Sequence, residues 1–160
     1  MRYQVVPVEL GIREYIEDQI ERLEGLAYQK KIKLEFLPGD EHKIISDVML
    51  LGRAFSNVTS NCIRYAKEMV QISVEENGEQ LKITIRDDGP GIAEDDLPHL
   101  FDRFYKGKNG NHGLGLSIAK RSMEYMGGNI VAEASPDGAI FTIILPQDCR
   151  SFAVEEWTEV

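Results

Sequence analysis

The sequence predicts an α+β domain of two layers, because segments with helical periodicity are interspersed with pairs of short alternating strands. Two of the predicted strand pairs are joined by strong turn sequences, Asn77-Gly78 and the Ser-Pro-Asp-Gly of 135–138. The length of 160 residues fits one domain with a single hydrophobic core. No internal repeat or low-complexity segment interrupts this pattern.

The first part of the chain predicts one helix and two strands. Residues 8–29 have apolar side chains at helical spacing, which are Ile12, Ile16, Ile20 and Leu23. Residues 31–36 alternate apolar and polar as a strand does, and residues 38–40 predict a turn. A short strand at 42–46 follows.

The rest of the chain predicts two more long helices around two hairpins. Asp47 is the predicted N-cap of a helix that ends near Lys67. The remaining elements, in order, are strands at 70–75 and 80–86, a short helix at 94–105, a mobile loop at 106–113, a helix at 114–126 stopped by Gly127-Gly128, and strands at 129–134 and 139–145. Residues 149–160 form an acidic tail without clear periodicity.

Composition excludes several classes of function. The chain has 27 acidic and 18 basic residues, a net charge of -9, which argues against a general nucleic-acid binder. No segment approaches the roughly 20 apolar residues of a membrane span, and no signal peptide opens the chain. Cys62 and Cys149 favour two reduced thiols in a cytoplasmic protein over a disulfide.

The helix at 47–67 carries a polar stripe beside its apolar face. Asn57, Asn61 and Arg64 share this stripe, and Tyr65 lies at its border with the apolar face. Two amides and a guanidinium at this spacing could hold a metal-bound polyphosphate. A solvated polar face is the commoner explanation of such a stripe, although Asn is a poor helix former.

The strand at 80–86 predicts a buried carboxylate at its end. Period two places Asp87 on the apolar face, where a carboxylate is costly unless it is hydrogen-bonded. Gly89 and Gly91 then leave bare backbone against which a ligand with an N–H donor could lie. A plain turn with an exposed Asp explains this motif equally well.

A third motif leads from the polar loop into a helix. Gly113-Leu114-Gly115-Leu116-Ser117 has the free N–H groups and the glycines of an anion site at a helix start. It follows a loop and not a strand, which argues against a dinucleotide-binding loop. Lys106 and Lys108 add positive charge nearby, although solvated loop lysines are the ordinary explanation.

The motifs together resemble the catalytic ATP-binding domain of sensor histidine kinases. NVTSNCIRYA, RDDGPGI, LFDRFYKG and GLGLSIAK are similar to the N, G1, F and G2 boxes of that family, and DGAIFTIILP is similar to its closing strand. The match spans about residues 8–146. The resemblance implies the Bergerat-type ATP-binding α/β sandwich, in which a mixed, mostly antiparallel sheet packs on three helices.

The resemblance also implies roles for individual residues. Asn61 matches the Mg²⁺ ligand, Asn57 a phosphate or magnesium-water contact, Asp87 the acceptor of the adenine amino group, and Asn57 and Lys106 the candidate catalytic residues. Phe101 and Phe104 match anchors of the ATP lid. The full set of expected ATP-binding residues is Asn57, Asn61, Arg64, Tyr65, Asp87, Gly89, Gly91, Ile92, Tyr105, Lys106, Lys108, Gly113, Leu114, Gly115 and Leu116.

Three differences between this sequence and the patterns of the family and its relatives bear on function. Relatives that hydrolyse ATP, such as gyrase, carry Glu where this chain has Asn57, and Asn cannot act as a general base for water. The closing strand also lacks a second glycine often present after Gly138. None of the three histidines, His42, His99 and His112, is followed by the acidic residue typical of the phosphoacceptor.

We therefore expect a part of a larger membrane sensor kinase that binds Mg-ATP and phosphorylates a histidine on another domain. Residues 1–30 would lead from a missing dimerisation domain, 31–148 would form the catalytic domain, and 149–160 the tail. The expected partners are the phosphoacceptor domain of the same kinase and a downstream response regulator, without nucleic acid or direct membrane contact, and the isolated domain would be monomeric and cytoplasmic. The alternatives are a degenerate kinase that only binds nucleotide and a serine kinase of the anti-sigma type.

Overall fold

Helices pack against one face of a central five-stranded sheet, and the hydrophobic core lies between them. The computed structural model describes residues 3–105 and 115–152. The strands are β1 (Val8–Gly11), β2 (Lys33–Leu37), β3 (Lys43–Ser46), β4 (Met69–Glu76), β5 (Gln80–Asp87), β6 (Asn129–Ser135) and β7 (Gly138–Pro146). The helices are α1 (Ile12–Lys30), α2 (Val48–Tyr65) and α3 (Gly115–Glu124), with 3₁₀ turns at Leu97–His99 and Cys149–Ser151.

The sheet is mixed and mostly antiparallel, in the strand order β2-β4-β5-β7-β6. β2 pairs with β4 in parallel, whereas β4–β5, β5–β7 and β6–β7 are antiparallel. The two predicted hairpins are confirmed, and Gly78 supplies the positive φ of 91° in the first turn. β1 and β3 form a separate two-stranded sheet. With three helices packed against it, this architecture confirms the predicted fold class.

The core lies between the helices and the inner face of the sheet. All four apolar positions predicted for the first helix are buried, and β5 alternates so that Leu81, Ile83 and Ile85 point into the core with Asp87. α1 contacts α2 and β2, while α2 contacts α3 and three strands of the sheet. α2 is therefore the central helix of the layer.

Two predicted elements are wrong in part. Residues 8–11 are a strand and not the first turn of the helix, because Val8–Gly11 pairs with β3 and this pairing overrides the local helical pattern. Residues 94–105 form only the 3₁₀ turn Leu97–His99 and irregular turns. Phe104 adopts a positive φ of 62°, which is incompatible with a helix through this position.

Asp47 connects the start of α2 with the beginning of the chain. Its Oδ1 accepts hydrogen bonds from the backbone N–H groups of Met49 and Leu50, which confirms the predicted N-cap. Its Oδ2 accepts hydrogen bonds from the Tyr3 hydroxyl at 2.9 Å and the Val6 N–H at 2.8 Å. The segment that enters the domain is thereby fixed to the N-terminus of the central helix.

The end of α3 matches the predicted glycine stop. Gly127 adopts a φ of 75°, and the N–H of Gly128 donates a 2.8 Å hydrogen bond to the carbonyl of Met123. The predicted loop 106–113 and Leu114 lie outside the described residues, as do residues 153–160 of the predicted tail. Within the tail, Cys149 is buried in the 3₁₀ turn that follows β7.

Candidate functional site

A cavity of about 240 Å³ opens between α2, the end of β5 and the start of β7. α2 contributes one wall, the end of β5 and the turn after it contribute the floor, and residues 92–96 and the start of β7 complete the lining. The lining residues are Asn61, Tyr65, Asp87, Pro90, Gly91, Ile92, Ala93, Asp96, Ala139 and Phe141. Its lining is mixed, with apolar side chains beside two carboxylates and an amide, which is typical of a small-molecule site.

Asp87 is held at the floor of the cavity by backbone donors. Its side chain is 4% exposed, and its Oδ1 accepts hydrogen bonds from the N–H of Gly89 at 2.9 Å and of Ala139 at 3.2 Å. Burial raises the pKa of Asp87, and the hydrogen bonds from Gly89, Ala139 and Cys62 oppose this rise. The carboxylate is thus paired within the protein and still reaches the cavity.

Two glycines are required by the close packing around Asp87. A Cβ at Gly138, whose φ is 139°, would collide with the carbonyl oxygen of Asp87. A Cβ at Gly89 would collide with the carbonyl oxygen of Tyr65. The start of β7, the end of α2 and the end of β5 therefore approach each other as closely as the backbone permits.

The neighbouring Asp88 connects the turn after β5 with the short segment between α2 and β4. Its carboxylate accepts hydrogen bonds from the N–H groups of Lys67, at 2.7 Å, and Glu68, at 3.1 Å. Burial works against its charged form, but backbone hydrogen bonds from Glu68, Lys67 and Met69 hold its pKa below the ordinary value. The two adjacent carboxylates thus face different surroundings, one in the cavity and one on the loop.

The polar stripe of α2 divides between the cavity and the start of α3. Asn61 is 7% exposed and lines the cavity, whereas Arg64 is exposed and lies outside the cavity lining. Asn57 lies one turn earlier, with its Oδ1 3.9 Å from the point where a Cβ of Gly115 would stand. Leu116 is buried beneath the first turn of α3. An amide and the N-terminal turn of a helix therefore meet beside the cavity.

Asp96 is a second buried carboxylate in the cavity wall that sequence reasoning missed. It is 7% exposed and accepts a 2.6 Å hydrogen bond from the hydroxyl of Tyr105 on Oδ1. This hydrogen bond, more than burial, raises the pKa of Tyr105. Asp96 is the last of three acidic residues in a row, and only the spacing of the apolar Leu97 and Leu100 that follow it hints at an inward-facing member.

The two phenylalanines predicted to anchor the lid behave differently. The Phe101 ring packs edge-on against Phe141, with centroids 6.4 Å apart, and the Lys120 ammonium lies 4.8 Å from its centroid. Phe104 is 65% exposed, and the Arg103 guanidinium lies 5.3 Å from its ring centroid. Phe101 is packed on the core, and Phe104 is not.

The structure brings together one group of the predicted site residues. Asn61, Tyr65, Asp87, Gly91 and Ile92 line one cavity. Gly89 lies under its floor, Tyr105 reaches it through Asp96, and Asn57, Gly115 and Leu116 lie together beside it. Lys106, Lys108, Gly113 and Leu114 lie outside the described residues. Sequence reasoning missed Pro90, Ala93, Asp96, Ala139 and Phe141.

Across residues 3–105 and 115–152, no helix combines the length and the apolar character that crossing a membrane requires.

Comparison with known proteins finds relatives among the histidine kinases. The chain is 44% identical over 108 residues to the signal transduction histidine-protein kinase AfsQ2 of Streptomyces coelicolor, covering 64% of the chain and 20% of that protein. It is 32% identical over 142 residues to the sensor histidine kinase CssS of Bacillus subtilis, covering 86% of the chain and 30% of that protein. The chain therefore spans less than a third of either relative.

Solved structures show the same fold. The mycobacterial sensor histidine kinase MprB superposes with a TM-score of 0.78 at 26% identity, covering 89% of this chain and 99% of that one. A complex of the histidine kinase ThkA with the response regulator protein TrrA superposes with a TM-score of 0.79 at 21% identity, covering 91% of this chain and 43% of that one.

The family match spans the elements that build the cavity. Residues 46–148, from the end of β3 through β7, match the family described as histidine kinase-, DNA gyrase B-, and HSP90-like ATPase. The relatives and solved structures above are sensor histidine kinases. The chain therefore belongs to this ATPase family and resembles, within it, the catalytic domains of sensor histidine kinases.

Proposed function

We propose that this chain binds Mg-ATP and donates the γ-phosphate to a histidine on a separate dimerisation domain of the same sensor kinase. The observation that carries the proposal is the buried carboxylate of Asp87 at the floor of a cavity that Ile92, Ala139 and Phe141 line with apolar surface. Adenine is a flat heteroaromatic base with one amino donor, which fits apolar side chains around its faces and an acceptor such as Asp87 at the amino group.

Asp87 gives this cavity its preference for adenine. The carboxylate accepts a hydrogen bond from the amino group of the base, whereas guanine would present a carbonyl oxygen at the same place. Ile92 and Tyr65 supply apolar surface around the ring, and Gly91 leaves the floor free of a side chain. Losing one hydrogen bond to a charged group costs about 1.5–3 kcal/mol, or roughly 10- to 100-fold in affinity.

The residues of α2 fit a bound Mg²⁺. Asn61 offers an amide oxygen in the cavity wall, and Mg²⁺ uses one or two protein oxygens together with water and phosphate oxygens. When bound, the ion supplies neutralisation of the phosphate charge. Asn57 and the N-terminal turn of α3 lie close together where the phosphates would extend from the cavity, and Gly113, Gly115, Lys106 and Lys108 would bind them.

In transfer of the γ-phosphoryl group, the main contribution of this chain is to position the ATP phosphates. A nitrogen of the acceptor imidazole attacks the γ-phosphorus, the N–P bond forms, and the bond from phosphorus to the bridging oxygen of ADP breaks. The imidazole proton passes to a base on the acceptor domain. Asn57, which cannot deprotonate water, favours transfer to a side chain over hydrolysis.

The surrounding protein follows from the same proposal. Residues 1–30 would lead from the dimerisation domain, 31–148 would form the catalytic domain, and the assembly would act in the cytoplasm on a response regulator. The complex of ThkA with TrrA supports such a partner, and the partial coverage of the relatives supports further domains in the full kinase.

Nucleotide titrations test the site first. ATP should bind more tightly than GTP, and Asp87→Asn should remove this preference, because the amide nitrogen can face guanine but repels the adenine amino group. Asp137→Asn, in an exposed turn, is the matched control. Asn61→Ala should abolish the dependence of ATP binding on Mg²⁺ while metal-free binding persists. Equal affinity of the native chain for ATP and GTP would refute the adenine assignment.

Phosphotransfer tests the reaction. With γ-labelled ATP, acid-labile label should appear on a separately made dimerisation domain that carries its histidine, and only when this chain is present. Label on this chain without the partner would place the acceptor inside it and overturn the proposal.

A further inference from the structure

The floor of the cavity is closely packed around the carboxylate of Asp87. Asp87, Ala139 and Phe141 all line the cavity, yet each of them is at most 5% exposed. The N–H of Gly89 contacts Oδ1 of Asp87, and a Cβ at Gly138 would collide with the Asp87 carbonyl oxygen. A ligand group that reaches this carboxylate from the cavity therefore finds little open space beyond it.

Ala139 presents its methyl group to this floor. Alternate side chains of a strand share a face, so Ala139 lies on the same face of β7 as the buried Phe141. The pairing of β5 with β7 ends at Arg86 and Ile140, and the next residues on the two strands are Asp87 and Ala139. Side chains opposite each other in antiparallel strands have Cβ atoms about 4.5–5.5 Å apart. The methyl group of Ala139 and the carboxylate of Asp87 are therefore neighbours in the floor.

Ala139 contributes to Asp87 and to the cavity through different atoms. Its backbone N–H donates a 3.2 Å hydrogen bond to Oδ1 of Asp87, and this bond does not involve the methyl group. The methyl group occupies space in the floor. Glycine at this position would keep the N–H donor and remove the methyl group, so one substitution separates the two contributions.

We propose that Ala139 is a specificity-determining residue, whose methyl group closes the floor of the cavity to substituents on the amino group of adenine. The inference rests on the proposed function, in which this amino group donates a hydrogen bond to Asp87. A substituent on the amino nitrogen lies one bond away from the atom that Asp87 binds, in the space that the methyl group of Ala139 fills. The site therefore accepts ATP and excludes adenine nucleotides that are alkylated at this nitrogen.

The test compares two ligands, Mg-ATP and the Mg²⁺ complex of N6-methyl-ATP. The methylated nucleotide keeps one N–H donor for Asp87 and adds one methyl group. The native chain should bind it about 5- to 100-fold more weakly than ATP, because forcing a methyl group into a packed site is costly. In Ala139→Gly the difference should shrink to less than about threefold, because the deleted methyl group leaves room for the added one. Affinity for ATP itself should fall by about fourfold or less.

Ala134→Gly is the matched control. Ala134 pairs with Ala139 between β6 and β7, is exposed, and lies outside the cavity lining. Both substitutions place a glycine within a strand, where the added backbone freedom weakens the fold in a similar way. Ala134→Gly should therefore leave the difference between ATP and N6-methyl-ATP as it is in the native chain.

Three results would overturn the inference. They are equal affinity of the native chain for the two nucleotides, an unchanged difference in Ala139→Gly, and an equal reduction of the difference in Ala134→Gly. If Ala139→Gly does not fold, as judged by circular dichroism, Ala139→Val tests the same point in the opposite direction. Its larger side chain should weaken binding of ATP itself by about 5- to 100-fold, and unchanged ATP affinity would overturn the inference.

Titrations with ATP and GTP separate this inference from the proposed function. If the native chain prefers ATP to GTP and Asp87→Asn removes that preference, but N6-methyl-ATP binds as tightly as ATP, only the role of Ala139 fails. If the native chain does not distinguish ATP from GTP, Asp87 is not the acceptor of the adenine amino group. The proposed function of Asp87 and the role of Ala139 then fail together.

Discussion

The hydroxyl of Tyr105 donates a 2.6 Å hydrogen bond to Oδ1 of Asp96, a carboxylate in the wall of the cavity. Asp96 lies before the 3₁₀ turn Leu97–His99, and Tyr105 is the last described residue before position 115. The bond therefore joins two residues nine positions apart in sequence, closes the segment between them onto the cavity wall, and gives a donor to a carboxylate that is almost fully buried.

Tyr105→Phe removes this bond and keeps the ring. We expect faster amide exchange over residues 97–105 and about 3- to 10-fold weaker ATP binding, because Asp96 loses a donor and the cavity wall loosens. Tyr28→Phe makes the same chemical change at a tyrosine that is 87% exposed, and it should alter neither quantity. Unchanged exchange over 97–105 in Tyr105→Phe would show that other contacts hold the segment.

Gly138→Ala should disrupt the floor of the cavity. The new Cβ would meet the Asp87 carbonyl, and the φ of 139° disfavours any side chain, so we expect a loss of about 2–4 kcal/mol in the free energy of unfolding. Gly25→Ala is the control, because it lies within α1 with nothing within 4 Å of its added Cβ. It should raise stability by about 0.5–1 kcal/mol. Urea denaturation measures both, and a native-like midpoint for Gly138→Ala would contradict the close packing.

The pH dependence of ATP binding should reflect the raised pKa of Asp87. The ionised carboxylate is the stronger acceptor of the adenine amino group, so affinity should fall as the pH drops through this pKa, above the ordinary value of about 3.9 for Asp. The dissociation constant of ATP is measured at several pH values for the native chain and for Asp87→Asn. In the ratio of the two constants, the titration of the ATP phosphates cancels. If the ratio of dissociation constants stays constant until the pH reaches the ordinary pKa of Asp, the pKa of Asp87 is not raised.

Protonation of Asp87, which should weaken ATP binding, should stabilise the fold of the nucleotide-free chain. Because the pKa of Asp87 is raised in the folded state, its contribution to stability is fully present below the unfolded pKa and is lost as pH rises through the folded pKa. Relative to Asp87→Asn, the native chain without nucleotide should therefore gain stability on acidification. Chemical denaturation at several pH values measures the difference, and a loss on acidification would reverse the assigned sign.

Substitutions at Asp47 should separate its two connections. Asp47→Ala removes the cap of α2 and the acceptor for Tyr3 and Val6, and we expect it to lower the free energy of unfolding by about 2–4 kcal/mol. Asp47→Asn keeps one oxygen for the cap and loses the other acceptor, so its loss should be about half as large. If the two variants lose the same free energy of unfolding, the whole effect comes from the contacts of Asp47 with Tyr3 and Val6.

Local pattern predicted those parts of the site that lie within single elements. Alternation along β5 placed Asp87 on the apolar face, and helical periodicity placed Asn57 and Asn61 together on the polar stripe. These predictions succeed because each depends on one element's own geometry. The assignment of residues 8–11 failed because their pairing with β3 determines them, and that of residues 94–105 failed because Phe104 adopts a positive φ.

The cavity residues Phe141, Ala139 and Asp96 could not be predicted from the pattern of a single element. Phe141 lies opposite Ile85 in the β5–β7 pairing, and Ala139 reaches Asp87 only because the two strands pair in this register. Asp96 turns inward because Tyr105, nine residues later, provides its donor. Such contacts depend on how elements assemble, which periodicity within one element does not encode.

The parallel pairing of β2 with β4 has a consequence for the order of folding. Parallel neighbours cannot be joined by a tight turn, and here the connecting chain, residues 38–68, contains β3 and all of α2. The hairpin β4–β5 closes over only a few residues, so it forms at a low cost in loop entropy, whereas β2 must wait for the central helix to dock. In pulse-labelled refolding, amide protection of β2 should therefore appear after that of β4–β5, and simultaneous protection would contradict this order. The sheet edge at β2 is thus the late-forming part of the domain, and its completion reports that α2, the helix of Asn57 and Asn61, is in place.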